Sequence, residues 1–272
     1  MKTIRKSAVA GMFYPAIKNK LEQDINEMLT LAQNDESFEN VLGIVAPHAG
    51  YIYSGLTAAY AYNTIKDKDY RSVVIISPSH REYFPGISVY DGDAYNTPLG
   101  DVPINKEMSK KICDDTNFIF EGLNGHRAEH AVEVQIPFLQ SLLSNFYIVP
   151  VVMGDQSIIY VEELAEKLAQ VIDEKTLLVA SSDLSHFYSK KKAKQLDSII
   201  EKHIANFDYE ILLQDLENHK CEACGGGAIA TLMKTADMLN IKKSKVLSYT
   251  DSSDVTGDSS EVVGYLSAVI YN

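Results

Sequence analysis

Six short apolar runs rich in β-branched residues punctuate the chain: VLGIVAP (41–47), SVVIISP (72–78), FYIVPVVM (146–153), TLLVASS (176–182), SKVLSY (244–249) and VVGYLSAVIY (262–271). Runs that lack polar alternation predict strands buried on both faces, as in a parallel sheet covered by helices. Amphipathic spacing predicts helices over 21–33, 55–66, 105–114, 130–144, 158–173, 190–205 and 226–239. Strands alternating with helices make the expected fold class α/β, a three-layer α/β/α sandwich. The last two runs, joined by the polar stretch 250–261, predict a hairpin and hence a mostly parallel or mixed central sheet. No internal repeat and no Pro/Gly/Ser-rich linker divides the 272 residues, so a single domain over 1–272 is expected.

Composition narrows the function classes. With 46% hydrophobic and 23% charged residues the chain is globular rather than collagen-like or disordered. A formal net charge of -12 repels phosphate backbones and anionic lipid, which argues against nucleic acid and membrane partners. No apolar stretch reaches the length of a signal sequence or a membrane span, and the expected location is cytoplasmic. The odd set Cys113, Cys221 and Cys224 fits free or metal-bound thiols in a reducing compartment.

Three strand runs lead directly into histidines. The run 41–47 ends at His48, the run 72–78 ends two residues before His80, and the run 176–182 leads into Asp183 and His186. In an open α/β sheet, ligands bind beyond the carboxyl ends of the strands, so three imidazoles at three such ends can share one cleft. His126 and His130 also lie beside connecting segments, whereas His203 and His219 sit in polar helical stretches and are expected to be solvated. Cys224 precedes Gly225, Gly226, Gly227 and an apolar helical pattern, a position where the helix dipole favours a thiolate able to bind metal. Cys221 makes a C-x-x-C with it, but with no second pair and no strand just before it that motif carries little weight.

Carboxylate–imidazole pairs add to the pattern. His130 and Glu133 are expected on one face of a first helical turn, and Asp183 and His186 have the same spacing in a strand-to-helix turn. A carboxylate beside an imidazole fixes its tautomer, for a metal ligand or for a general base. Tyr51 and Tyr53 are expected to line the cleft as an aromatic wall. The stretch 250–260 fails the calcium-loop pattern, since counting from Asp251 the third position is Ser253 and the sixth Thr256; it reads as a polar connection.

Seven blocks, AVAGMFYP (8–15), VAPHAGYIYSG (45–55), SPSH (77–80), EHAVEVQIPFL (129–139), VASSDLSHF (179–187), CGGGAI (224–229) and VVGYLSAV (262–269), resemble the successive blocks of the Memo family, also called AmmeMemoRadiSam system protein B. The resemblance spans nearly the whole chain. It implies a fold similar to the LigB subunit of class III extradiol dioxygenases, in which two His and a Glu hold non-haem Fe(II). The family keeps both His and replaces the carboxylate by Cys. His48, His80 and Cys224 are therefore the implied metal ligands, and His130, Asp183 and His186 match the remaining polar pocket residues, as catalytic candidates. The resemblance also implies participation in a system with a radical SAM enzyme and an AMMECR-type protein.

Three functions follow as expectations. The first is a mononuclear metal-dependent oxidoreductase using iron (Fe2+), or copper, on a small-molecule or peptide substrate, with His130 or His186 as acid/base and Asp183 orienting an imidazole. The second is a zinc hydrolase using the same ligands. The third is a non-enzymatic module that binds a peptide or small anion through Arg81, His130 and the helix start at Gly225 to Gly227.

Overall fold

The computed structural model describes residues 3–33 and 36–272. In chain order the strands are β1 (Ile4–Arg5), β2 (Gly43–Ala46), β3 (Ser72–Pro78), β4 (Ile87–Tyr90), β5 (Ala94–Thr97), β6 (Gly100–Pro103), β7 (Ile119–Gly122), β8 (Tyr147–Met153), β9 (Thr176–Ser181), β10 (His186–Tyr188), β11 (Lys243–Asp251) and β12 (Val262–Tyr271). The helices are α1 (Lys18–Leu31), α2 (Tyr51–Asn63), α3 (Lys106–Cys113), α4 (Ile136–Leu142), α5 (Ile158–Val171), α6 (Lys190–Asn206), α7 (Tyr209–Glu217), α8 (Gly226–Met238) and α9 (Ser253–Thr256).

Nine strands form one mixed sheet, in the order β10-β12-β2-β9-β3-β8-β4-β7 with β11 also paired to β12. Its centre, β2-β9-β3-β8, is parallel throughout, while β12 and β4 join it antiparallel from either side. The expected hairpin is present as β11 and β12, and its polar connection carries the short helix α9. A small sheet, β1-β5-β6, was not foreseen; nor were β4, β7, β10 and α7.

Burial on both faces explains why the central strands read as continuous apolar runs. Along β3, Val73 and Ile75 join one core while Val74 and Ile76 join another. The first core is closed by α1, α2 and α4 through residues such as Leu21, Tyr62 and Phe138; the second by α3 and α5 to α8 through Ile112, Leu164, Ile200, Leu212 and Ile229. This is the three-layer α/β/α sandwich.

Two expected helices differ in a way that matters for the site. The segment 130–144 does not start as a helix at His130: a 3-10 turn at Glu133–Gln135 precedes α4, whose first turn holds Pro137. Helix α2 begins at Tyr51, three residues after His48, so Tyr51 lies inside it and is buried, its hydroxyl donating to the Val134 carbonyl. Tyr53 is exposed, and Phe13 from the N-terminal segment takes the aromatic place beside the site, 4.8 Å between ring centroids from His130. No helix among the described residues is long and apolar enough to cross a membrane.

Candidate metal centre

Parallel pairing of β2, β9 and β3 puts their carboxyl ends side by side, and those ends deliver His48, Asp183 and His80 to one place. The loop before α8 brings Cys224. Ligand atoms of His48, His80 and Cys224 lie within 4.8 Å of one another, with Cys224 Sγ 3.2 Å from His48 Nε2. A bound ion sits about 2.0–2.3 Å from imidazole nitrogen and thiolate sulfur, so donors this close can share one ion with small side-chain adjustments. His130 completes the group, with ring centroids 4.7 Å from His80 and 5.3 Å from His48.

Hydrogen bonds dictate which nitrogen of each ring is free. Ser181 Oγ donates its single proton to the Ala131 carbonyl and accepts from Gln135 Nε2, so it can only accept from His48 Nδ1, 2.9 Å away. His48 therefore carries its proton on Nδ1 and turns the Nε2 lone pair to Cys224. His80 Nδ1 faces Glu129 Oε1 at 2.9 Å, and His186 Nδ1 faces the Leu184 carbonyl at 2.8 Å; both partners only accept. Three imidazoles thus share the tautomer that leaves Nε2 available.

Glu129 is the site residue that sequence reasoning missed. Buried to 1% exposure, it accepts the His80 N–H on Oε2 and the N–H groups of His130 and Ala131 on Oε1. Burial works to raise its carboxyl, but the His80 ring and these N–H donors outweigh it and hold the group down to about 2. His80, Glu129 and His130 also form a close trio of donor atoms. Oε1 is already filled by three N–H groups there, so that trio is a support for His80 and the first group is the better ion site. Its only sequence signal is the glutamate directly before His130.

Glu133, expected beside His130, points elsewhere. It is fully buried, pairs with Arg5, and accepts from the Ala8 and Val9 N–H groups and the Tyr14 hydroxyl. His126 also stays apart: it accepts from Tyr95 at Nδ1 and donates from Nε2 to the Ser88 carbonyl. His203, expected in solvent, is buried 2.9 Å from Asp215 on α7.

Burial disfavours charge on the His48 and His130 imidazoles. Burial, then the neighbouring His80, pushes His48 down to about 3, and burial, then His48, pushes His130 down to about 4. Burial raises the Cys224 thiol, with Asp183 adding to the effect, so without an ion the helix-start position alone does not favour the thiolate. Burial likewise raises Asp183, whose Oδ1 accepts the His48 N–H at 2.7 Å and whose Oδ2 lies 4.0 Å from His48 Nε2. Asp183 thus positions His48 through its backbone. Nδ1 of His130 is buried without a hydrogen-bond partner among the described residues, although Glu129 Oε1 is 3.2 Å away at poor geometry.

Gly225 lets the Cys224 loop seat against β9, since a Cβ there would stand 2.3 Å from the Ser181 carbonyl oxygen. The N–H groups of Gly225, Gly226 and Gly227 are taken by Ser182 Oγ, the Ala223 carbonyl and Gln156 Oε1. They are not the free anion cradle that the third expectation required.

Comparison with known proteins agrees with the blocks read from the sequence. Residues 5–269 match the family model described as Memo-like protein. The chain is 38% identical over 267 residues to the MEMO1 family protein TV1383 of Thermoplasma volcanium, covering 98% of each. It is 40% identical to Ta0237 of Thermoplasma acidophilum, covering 97% of this chain and 98% of that one, and 33% identical to MJ0403 of Methanocaldococcus jannaschii, covering 99% and 100%. Among solved structures, uncharacterized protein JW3007 of Escherichia coli K12 superposes with a TM-score of 0.57 at 13% identity, over 84% of this chain and 98% of that one, a likeness of fold.

Proposed function

The chain belongs to the Memo family, and from that premise we propose that it is a mononuclear metal-dependent oxidoreductase whose ion is held by His48, His80 and Cys224, with iron as the native metal. The observation that carries this reading is that donor atoms of His48, His80 and Cys224 lie within 4.8 Å of one another, with Cys224 Sγ 3.2 Å from His48 Nε2. Two imidazoles and a soft sulfur suit Fe, Cu or Zn better than Mg or Ca. A bound ferrous ion supplies electron transfer and Lewis acidity, with coordination positions left for substrate.

The chain's own groups do the rest. Ser181 and Glu129 hold His48 and His80 in the ligating tautomer. Cys224 gives up its proton when an ion binds. His130, whose Nδ1 is buried beside Glu129 and whose ring packs against those of His48 and His80, is the base for a substrate proton through its other ring nitrogen, and Phe13 beside the ring limits water. His186 borders the same space with its Nε2 free.

Zinc on these donors defines a second reading, a hydrolase in which His130 takes a proton from the attacking water; the sulfur in the donor set favours it. Oxygen uptake by ferrous-loaded protein, offered catechol-like and other electron-rich compounds, separates the two. Uptake that requires His130 supports the oxidoreductase, whereas oxygen-independent hydrolysis by the zinc form replaces it.

A further inference from the structure

A cavity of about 380 Å3 opens on the Cys224 and His186 side of the candidate centre, within the size range of small-molecule sites. Its walls come from the end of α7, the loop leading to Cys224 and the start of α8. Leu184, Leu213, Leu216 and Ala223 give it an apolar body. Two carboxylates, Glu217 and Glu222, and two imidazoles, His186 and His219, line it, and among the described residues no lysine or arginine does. Glu222 is held in place by the Tyr188 hydroxyl at 2.6 Å, and Glu217 is exposed at the C-terminal end of α7, where the helix dipole also favours positive charge.

At the α8 start, the N–H groups of Gly225, Gly226 and Gly227 are already bound within the protein. An anion would therefore meet two carboxylates and neither lysine nor arginine, with the His219 imidazole as the remaining ring on that side of the lining. A cation with an apolar stem meets complementary chemistry at both ends.

We propose that this cavity is the substrate subsite of the centre and takes a small molecule bearing a primary ammonium group on an apolar stem. The stem packs against Leu184, Leu213 and Leu216, the ammonium lies at Glu217 and Glu222, and the far end of the molecule reaches Cys224 and His186. Its role as a substrate subsite rests on the metal-centre reading, while the recognition itself needs no ion.

The test is calorimetric titration of the chelator-treated full chain with hexylammonium, hexanol and hexanoate. Hexylammonium is expected to bind about 10-fold more tightly than hexanol, the scale of two partly exposed ion pairs, and hexanoate more weakly still. In Glu217→Gln/Glu222→Gln, two side chains outside the core, that preference is expected to vanish, and Ala223→Leu, which fills the cavity, is expected to abolish binding. Equal binding of hexanoate and hexylammonium, unchanged selectivity in the double variant, or binding that survives Ala223→Leu in a folded protein overturns the proposal. His48→Ala serves as the separating control: it is expected to lose metal and keep hexylammonium, so either reading can fail alone.

Discussion

Glu129 Oε1 stands 2.9 Å from His80 Nδ1, and because a carboxylate only accepts, His80 presents Nε2 to the centre. Glu129→Gln removes the negative acceptor while conserving shape. Metal affinity, measured by competition with a chromogenic chelator, is expected to fall about 10–100-fold, the usual effect of losing such a supporting carboxylate. Unchanged affinity would mean that His80 is not a ligand.

Ser181 does for His48 what Glu129 does for His80, and it also joins Gln135 to the Ala131 carbonyl. Ser181→Ala leaves His48 Nδ1 and the Ala131 carbonyl short of a partner, while Gln135 Nε2 keeps the Ala46 and Pro47 carbonyls. A stability loss of about 1–3 kcal/mol in urea titration is expected, together with weaker metal binding. A folded variant of full stability and full affinity would show that the tautomer is set elsewhere.

Much of the fold was legible in the sequence because the central strands are buried on both faces, a condition that leaves a continuous apolar run wherever it holds. Peripheral β4, β5, β6 and β7 have four residues each and take their pairing from distant partners, which local pattern does not encode. Missing α7 led directly to the misplacement of His203, since Asp215 and its helix provide the cover. The meeting of His48 and His80 was visible because strand ends converge in any parallel sheet, whereas Cys224 entered the ligand set through the family resemblance. Glu129 was not, because a helix was taken to begin at His130. The three-residue spacing then favoured Glu133, whereas the chain makes a 3-10 turn there, ahead of α4, and sends Glu133 to Arg5.

The Arg5 and Glu133 pair is fully buried and ties the N-terminal segment, including Phe13, to the site. Arg5→Met strands a buried carboxylate, and a loss of about 3–5 kcal/mol in unfolding free energy is expected. A loss below about 1 kcal/mol would place the anchoring in the backbone donors to Glu133 instead.

His126 gives a pH signature independent of the metal. Burial pushes it down to about 3 in the folded chain, while the unfolded side chain titrates near 6.5. The unfolded state binds the extra proton between those values, so this stabilisation is intact above about pH 6.5 and is lost as pH falls toward 3, at up to about 1.4 kcal/mol per pH unit. His126→Gln keeps a donor for the Ser88 carbonyl and is expected to flatten that slope in acid-unfolding curves. An unaltered slope would assign acid sensitivity to other groups.

The central claim is that two imidazoles and one sulfur hold a single ion. Anaerobic loading with ferrous iron, followed by metal quantification and iron-edge X-ray absorption on wild type, His48→Ala and Cys224→Ser, tests it most directly. The account predicts about one iron per wild-type chain, with one sulfur at about 2.3 Å among nitrogen or oxygen neighbours, and little retained iron in either variant. Equal iron in all three proteins, or a wild-type spectrum without sulfur, would contradict it.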